Sequence, residues 1–226
     1  IMYLSRISID YSADYLHSLL ANKLPDGYTI HQLLWRLFTE EKERSFLYRL
    51  EIGKNGKPIF YILSSIAPTT KNNFFKIETK PFLPKLVKKM KLAFSLRANP
   101  TVCITDKEGK RQRHDVLMHA KKQAQLDGKD YSHDDIHHLM QQAALNWISS
   151  DDRLNKWGIS LTQLPDIKAY TPERIKKPSG KIMSFSSVDY QGVLTIEEPH
   201  LFWQQYQQGF GRAKAFGCGL MLIRNI

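Results

Sequence analysis

Tyr28 and His31 stand three residues apart in GYTIHQLLWRLF, residues 27–38. An imidazole, with a pKa of about 6.5, can give or take a proton at neutral pH. A phenol, titrating at about 10, can donate a proton or hydrogen-bond an oxyanion. Three apart on a helix, the two side chains would project side by side. The spacing around them predicts that helix. Ile30, Leu33, Leu34, Leu37 and Phe38 recur at helical intervals and form one apolar stripe. Tyr28, His31, Gln32 and Trp35 fall on the other side, with Arg36 at its edge. Asp26, just after Pro25, is the expected N-cap. The plainer reading of the same face is a histidine that only fills and satisfies an interior layer.

The rest of the chain weighs on that choice. Its 226 residues suffice for one large domain or two small ones. An apolar share of 42% and an aromatic share of 11% describe a folded globular protein. Lysine and arginine outnumber aspartate and glutamate by 33 to 22, a net charge of +11. Such an excess favours a polyanionic partner, nucleic acid or an acidic membrane surface. No apolar run approaches the roughly 18 residues of a membrane span. Met2 reads as the natural first residue, and no leader pattern follows it. Cys103 and Cys218 lie far apart and define neither a disulfide framework nor a zinc site. The expectation is a basic, cytoplasmic protein with no membrane partner.

The elements that must carry Tyr28 and His31 follow from pattern. Residues 2–10 read as a strand. Residues 46–52 alternate, with Phe46, Tyr48, Leu50 and Ile52 facing one way. A turn at 53–56 leads to a returning strand at 59–65. Strand, helix, strand, strand is the first part of a ferredoxin-like unit. Residues 80–91, rich in Pro and Lys, read as a linker. Leu92, Phe94 and Leu96 then open a second set. Residues 107–113 (KEGKRQR) read as a basic loop. Ser132 is the expected N-cap of a helix with Ile136, Leu139, Met140, Ala143, Ala144 and Trp147 on one stripe. Residues 181–188 and 192–196 read as a hairpin. Pro199 opens another helix, and 220–223 closes the chain as a buried strand.

Three further motifs bear on chemistry. Gly209, Gly211, Gly217 and Gly219 enclose Arg212 and Lys214 in GFGRAKAFGCG. The run is neither a dinucleotide fingerprint nor a Walker A loop, because a helix precedes it and no Gly-Lys-Ser/Thr follows. A glycine-rich turn with two cations fits a phosphate, and it also fits a tight connection. His133 and His137 are four apart in HDDIH, but Asp134 stands where a zinc-protease helix needs glutamate and no third ligand is evident, so no metal or other cofactor is expected. Arg174, Lys176, Lys177 and Lys181 flank Pro178-Ser179-Gly180, a basic element suited to a groove of folded nucleic acid.

Taken in order, MYLSRI at 2–7, the YxxH of Tyr28 and His31, LRANP at 96–100, SGKI at 179–182 with GVLTI at 192–196, and GFGRAKAFGCGL at 209–220 resemble one family. It is the CRISPR-associated endoribonuclease CasE, the repeat-processing subunit of type I-E Cascade. The resemblance spans nearly the whole chain. It implies an α+β protein of two tandem ferredoxin-like (βαββαβ, RAMP-type) domains, expected at 1–88 and 89–226. It implies metal-independent cleavage of a CRISPR repeat RNA, 3′ of its stem-loop, and association with other Cascade subunits. Tyr28 and His31 match the family's catalytic pair. Arg174, Lys176, Lys177 and Lys181 match its RNA-binding basic element. Gln32 stands where some members have arginine, and Arg36 lies one turn on. Attack by a ribose 2′-OH needs one group to take its proton and another to protonate the leaving 5′-oxygen. The residue types leave open which of the pair does which. A non-catalytic RNA-binding subunit of the same fold is the alternative.

Overall fold

The computed structural model describes residues 1–9, 27–38, 45–70 and 75–226. The chain divides into two compact units. The first holds residues 1–85, 174–183 and 213–220; the second holds 86–173, 184–212 and 221–226.

In the first unit, strands β1 (Met2–Ile9), β2 (Phe46–Ile52), β3 (Pro58–Ser64) and β4 (Phe75–Phe82) form an antiparallel sheet in the order β2-β3-β1-β4. That order is the ferredoxin-like one. Period-two alternation sends Ile7, Ile9, Phe46, Tyr48, Phe60 and Ile62 to one face, where they are buried. Helix α1 (Gly27–Trp35) lays Ile30 and Leu34 on that face, and Leu37 and Phe38 continue the stripe in the turn that follows. Phe38 stacks on Phe46 with centroids 4.6 Å apart. Asp26, the expected N-cap, lies outside the described residues, as does Asp10 at the end of the first expected strand.

β4 corrects the expected linker at 80–91. Lys80, Pro81 and Phe82 end a strand that pairs with β1 along its whole length. Charge and proline disguise it, yet both suit an edge strand. Pro81 needs no partner on the open side, and the Lys76 and Lys80 side chains stand in water.

In the second unit, β5 (Lys91–Ala98), β10 (Ile182–Ile196), β11 (Met221–Asn225) and the short β8 (Ile159–Ser160) order as β11-β5-β10-β8, and β9 (Asp166–Lys176) also pairs with β10. Helices α2 (Val116–Leu126), α3 (His133–Ser149), α4 (Asp151–Trp157) and α5 (Pro199–Gln208) complete it. Strands β11, β5, β10 and β9 repeat the ferredoxin-like arrangement. The core gathers Leu92, Leu96, Val188, Tyr190, Phe202 and Phe210, each essentially inaccessible. Ser132 caps α3 in a reciprocal capping box with Asp135. Tyr190 donates to the Ala144 carbonyl at 2.8 Å, and burial pushes its phenol far above the ordinary value.

Two expectations change here. The hairpin expected between 181–188 and 192–196 is one strand of 15 residues. It runs unbroken because β5 pairs with it residue for residue from Val188 to Thr195, and Arg97 binds the carboxylate of its partner Asp189 through two nitrogens at 2.7 and 2.8 Å. The true partner in the hairpin is β9. Likewise 107–113 is only partly loop: a two-stranded ribbon pairs β6 (Thr101–Thr105) with β7 (Arg111–Asp115). Asp115 then caps α2 through Leu117 and Met118 N–H and accepts the Ser186 N–H at 2.8 Å.

Candidate functional site

Every side chain of the site proper belongs to the first unit. On α1, Tyr28 and His31 are both half-buried, Tyr28 well around the helix from Ile30 and Leu34 and His31 at the flank of their stripe. Each has a partner one turn on, as helical geometry dictates. Gln32 Nε2 donates to the Tyr28 hydroxyl at 3.3 Å. Trp35 Nε1 donates to His31 Nε2 at 2.9 Å. Because Nε2 accepts, a neutral His31 carries its proton on Nδ1, a buried atom.

His31 sits among three aromatic rings. Trp35 stands edge-on at 6.0 Å between centroids, Phe216 at 5.9 Å and Phe46 at 6.5 Å. Phe216 comes from the 3₁₀ turn Lys214–Phe216 in the glycine-rich run. Tyr48 of β2 holds that turn by donating to the Ala215 carbonyl at 3.3 Å. Gly217 follows with φ +83°, and a Cβ on it would lie 3.2 Å from the Tyr48 ring. Glycine is required there by conformation and by space together. The hairpin joins the same unit through Ile175, which is buried beside Gly27; a Cβ on Gly27 would approach its Cδ1 to 3.0 Å.

The structure thus gathers most of the expected site residues and separates three. Arg174, Lys176, Lys177 and Lys181 are exposed around the β9–β10 turn, which closes with Lys177 N–H donating to the Lys181 carbonyl at 2.9 Å. None of the four forms a salt bridge among the described residues. Arg36 is exposed just past α1, and Lys214 is half-buried in the 3₁₀ turn. Gly209, Gly211 and Arg212 belong to the second unit. Gly209 is buried at the end of α5, and Arg212 is exposed. Gly211 has φ +78°, with Asn99 O and the Trp147 ring 3.2 and 3.3 Å from where a Cβ would sit. Gly211→Val is therefore expected to cost more than about 1 kcal/mol of stability, read as a lower Tm, since both its conformation and its space exclude a side chain. A Tm equal to wild type would contradict that packing.

His133 and His137 are exposed on α3, and no group of three or more possible metal ligands occurs among the described residues. Phe216, Phe46 and Tyr48 carry no chemistry that would single them out in the sequence. The one available signal is that the glycine-rich run carries two aromatic residues, Phe210 and Phe216, of which only the second reaches His31.

No helix among the described residues is long and apolar enough to cross a membrane. A family model described as CRISPR associated protein matches residues 2–225. The chain is 28% identical over 212 residues to the Escherichia coli K12 protein named CRISPR system Cascade subunit CasE, covering 88% of this chain and 92% of that one. Thermus thermophilus Cse3, solved bound to an RNA representing a pre-cleavage complex, superposes with a TM-score of 0.66 at 20% identity, covering 99% and 98% of the two chains. Cas6e from Escherichia coli K-12 gives 0.56 at 24% identity, covering 99% and 100%. At these identities the two structures speak for the fold.

Proposed function

Since this chain belongs to the CRISPR-associated CasE family, we propose that it is the endoribonuclease that cuts CRISPR precursor RNA within the repeat, 3′ of the stem-loop. It acts in the cytoplasm, needs no metal, and stays on the product hairpin as a Cascade subunit. The observation that carries the reading is the pairing of Tyr28 with His31 on one face of α1, in the same unit as four exposed cations at the β9–β10 turn. A solved relative is described as an endoribonuclease bound to RNA, and another belongs to an RNA-guided surveillance complex.

In this reading the ribose 2′-OH loses its proton to one member of the pair and its oxygen attacks the adjacent phosphorus. The 5′-oxygen of the next nucleotide leaves and takes a proton from the other member. Imidazole can fill either place near neutral pH. The phenol can donate a proton or hydrogen-bond the phosphate oxygens, where charge builds in the transition state. Lys176 and Lys177 hold stem phosphates, with Arg174 and Lys181 beside them, and Lys214 and Arg36 lie on the unit that carries the pair. Gly209, Gly211 and Arg212 shape and charge the backbone next to them in sequence.

The packing of His31 against Trp35, Phe46 and Phe216 favours a second reading, in which the chain binds the hairpin without cutting it. Pure protein incubated with its cognate repeat RNA in EDTA decides between the two. A single cut at the base of the hairpin supports the nuclease; intact RNA in a stable complex supports the binder.

The cations give a separate expectation. Replacing Lys176 and Lys177 by Ala should weaken hairpin binding and make its salt dependence shallower, by roughly 0.7–0.9 in log–log slope for each phosphate that a lysine no longer neutralises. Titrations at several salt concentrations measure it. A slope equal to wild type would remove both lysines from the RNA interface.

A further inference from the structure

The nitrogen through which His31 would meet RNA is already occupied. Trp35 Nε1 reaches His31 Nε2 at 2.9 Å, one turn along the same helix, and the other ring nitrogen is buried. The indole is itself fixed, edge-on to Phe46 at 5.8 Å between centroids, and Phe46 is buried in the core of the unit. The Phe216 ring, on the turn tied down by Tyr48, closes a further side of the imidazole. This is more order than a packing histidine needs. Hydrophobic contact alone would not select between the two ring nitrogens, whereas an N–H donor does.

We propose that Trp35 is a positioning residue that latches the His31 imidazole in the RNA-free protein. Its N–H keeps Nε2 an acceptor and keeps the neutral ring's proton on Nδ1. An RNA hydroxyl that donates to Nε2 takes the indole's place and finds the ring already oriented and in one tautomer. The inference rests on the nuclease reading for its purpose, though not for its geometry. Orientation set before binding is what separates a productive pair from two groups that merely lie close.

The test begins with the wild-type protein, free of RNA, labelled with ¹⁵N-histidine. The His31 signals are assigned by their loss in His31→Ala, and the spectrum is taken where the imidazole is neutral. Expected is a protonated Nδ1 and an unprotonated Nε2; finding the proton on Nε2 overturns the proposal without any variant. Trp35→Phe keeps an aromatic ring, smaller than the indole, against Phe46 and removes the donor. In that variant the tautomer should shift toward Nε2–H, the form favoured by free histidine. Single-turnover cleavage at saturating RNA should slow by about tenfold, with hairpin affinity unchanged. A tautomer insensitive to the substitution, or a cleavage rate equal to wild type, overturns it. A role in packing alone would lower Tm and leave the tautomer where it was. Because the tautomer is read without cleavage, failure of the latch and failure of the nuclease reading give different results.

Discussion

His31→Ala is expected to slow cleavage of the repeat hairpin by about 10²–10⁴-fold, the span usual for one acid–base group, and to leave hairpin affinity nearly unchanged. The expectation follows from position. His31 is half-buried at the flank of the stripe that Ile30 and Leu34 form, so the helix keeps its main apolar hold on the sheet without it. The exposed cations at the β9–β10 turn, which supply affinity in this reading, are untouched by the change. The substitution also empties space among Trp35, Phe46 and Phe216, and some stability will go with it. A thermal melt of the variant, and rates normalised to folded protein, separate that effect from impaired chemistry. Tyr28→Phe should cost less. Its hydroxyl meets the exposed Gln32 amide, in a place where water or another donor can serve. Wild-type cleavage by folded His31→Ala would end the assignment.

The parts of this molecule that are legible in sequence are those governed by short-range period. The stripe of α1, the alternation of β5 and the Ser132 cap of α3 each depend on residues a few positions apart, and each forms as its pattern predicts, whereas β2 forms as a strand with Leu47 and Arg49 buried on its other face and Ile52 exposed. What escapes depends on partners far along the chain. β4 is a strand because β1 offers it eight consecutive partners, although Lys80 and Pro81 argue locally against it. Residues 189–191 read locally as a turn before a strand opening at Gly192, and are in fact strand because β5 pairs with them residue for residue. The polar pair of the site is visible from spacing on one helix. Its setting is not, because Phe216 and Tyr48 reach His31's neighbourhood only through the folded sheet and the turn that Tyr48 ties down. The hydrogen bond from Trp35 lies between these cases. The i, i+4 spacing of His31 and Trp35 is plain in the sequence, but which group the indole chooses depends on how Phe46 seats its ring.

A single 2′-deoxy substitution, at the nucleotide 5′ of the scissile phosphate, is expected to abolish cleavage and to leave binding intact. In this reading the pair on α1 moves protons and the RNA brings its own nucleophile, the 2′-hydroxyl next to that phosphorus, which can attack in line with the leaving 5′-oxygen. Deleting it removes the attacking atom while every phosphate, and so every interaction with Lys176 and Lys177, remains. The products of the unmodified RNA should then be a 2′,3′-cyclic phosphate on the upstream fragment and a 5′-hydroxyl on the downstream one, and the reaction should proceed in EDTA. Mass spectrometry of the fragments reads the end groups, and competition with the unmodified hairpin reads the affinity. An attacking water would leave different marks. The deoxy substrate would still be cut, and no cyclic phosphate would form at any stage. Failure of binding together with failure of cutting would point elsewhere again, to a 2′-hydroxyl used for recognition of RNA over DNA. Only cleavage abolished with binding kept, and a cyclic end on the natural product, fits Tyr28 and His31 as the two proton-handling groups of a transesterification.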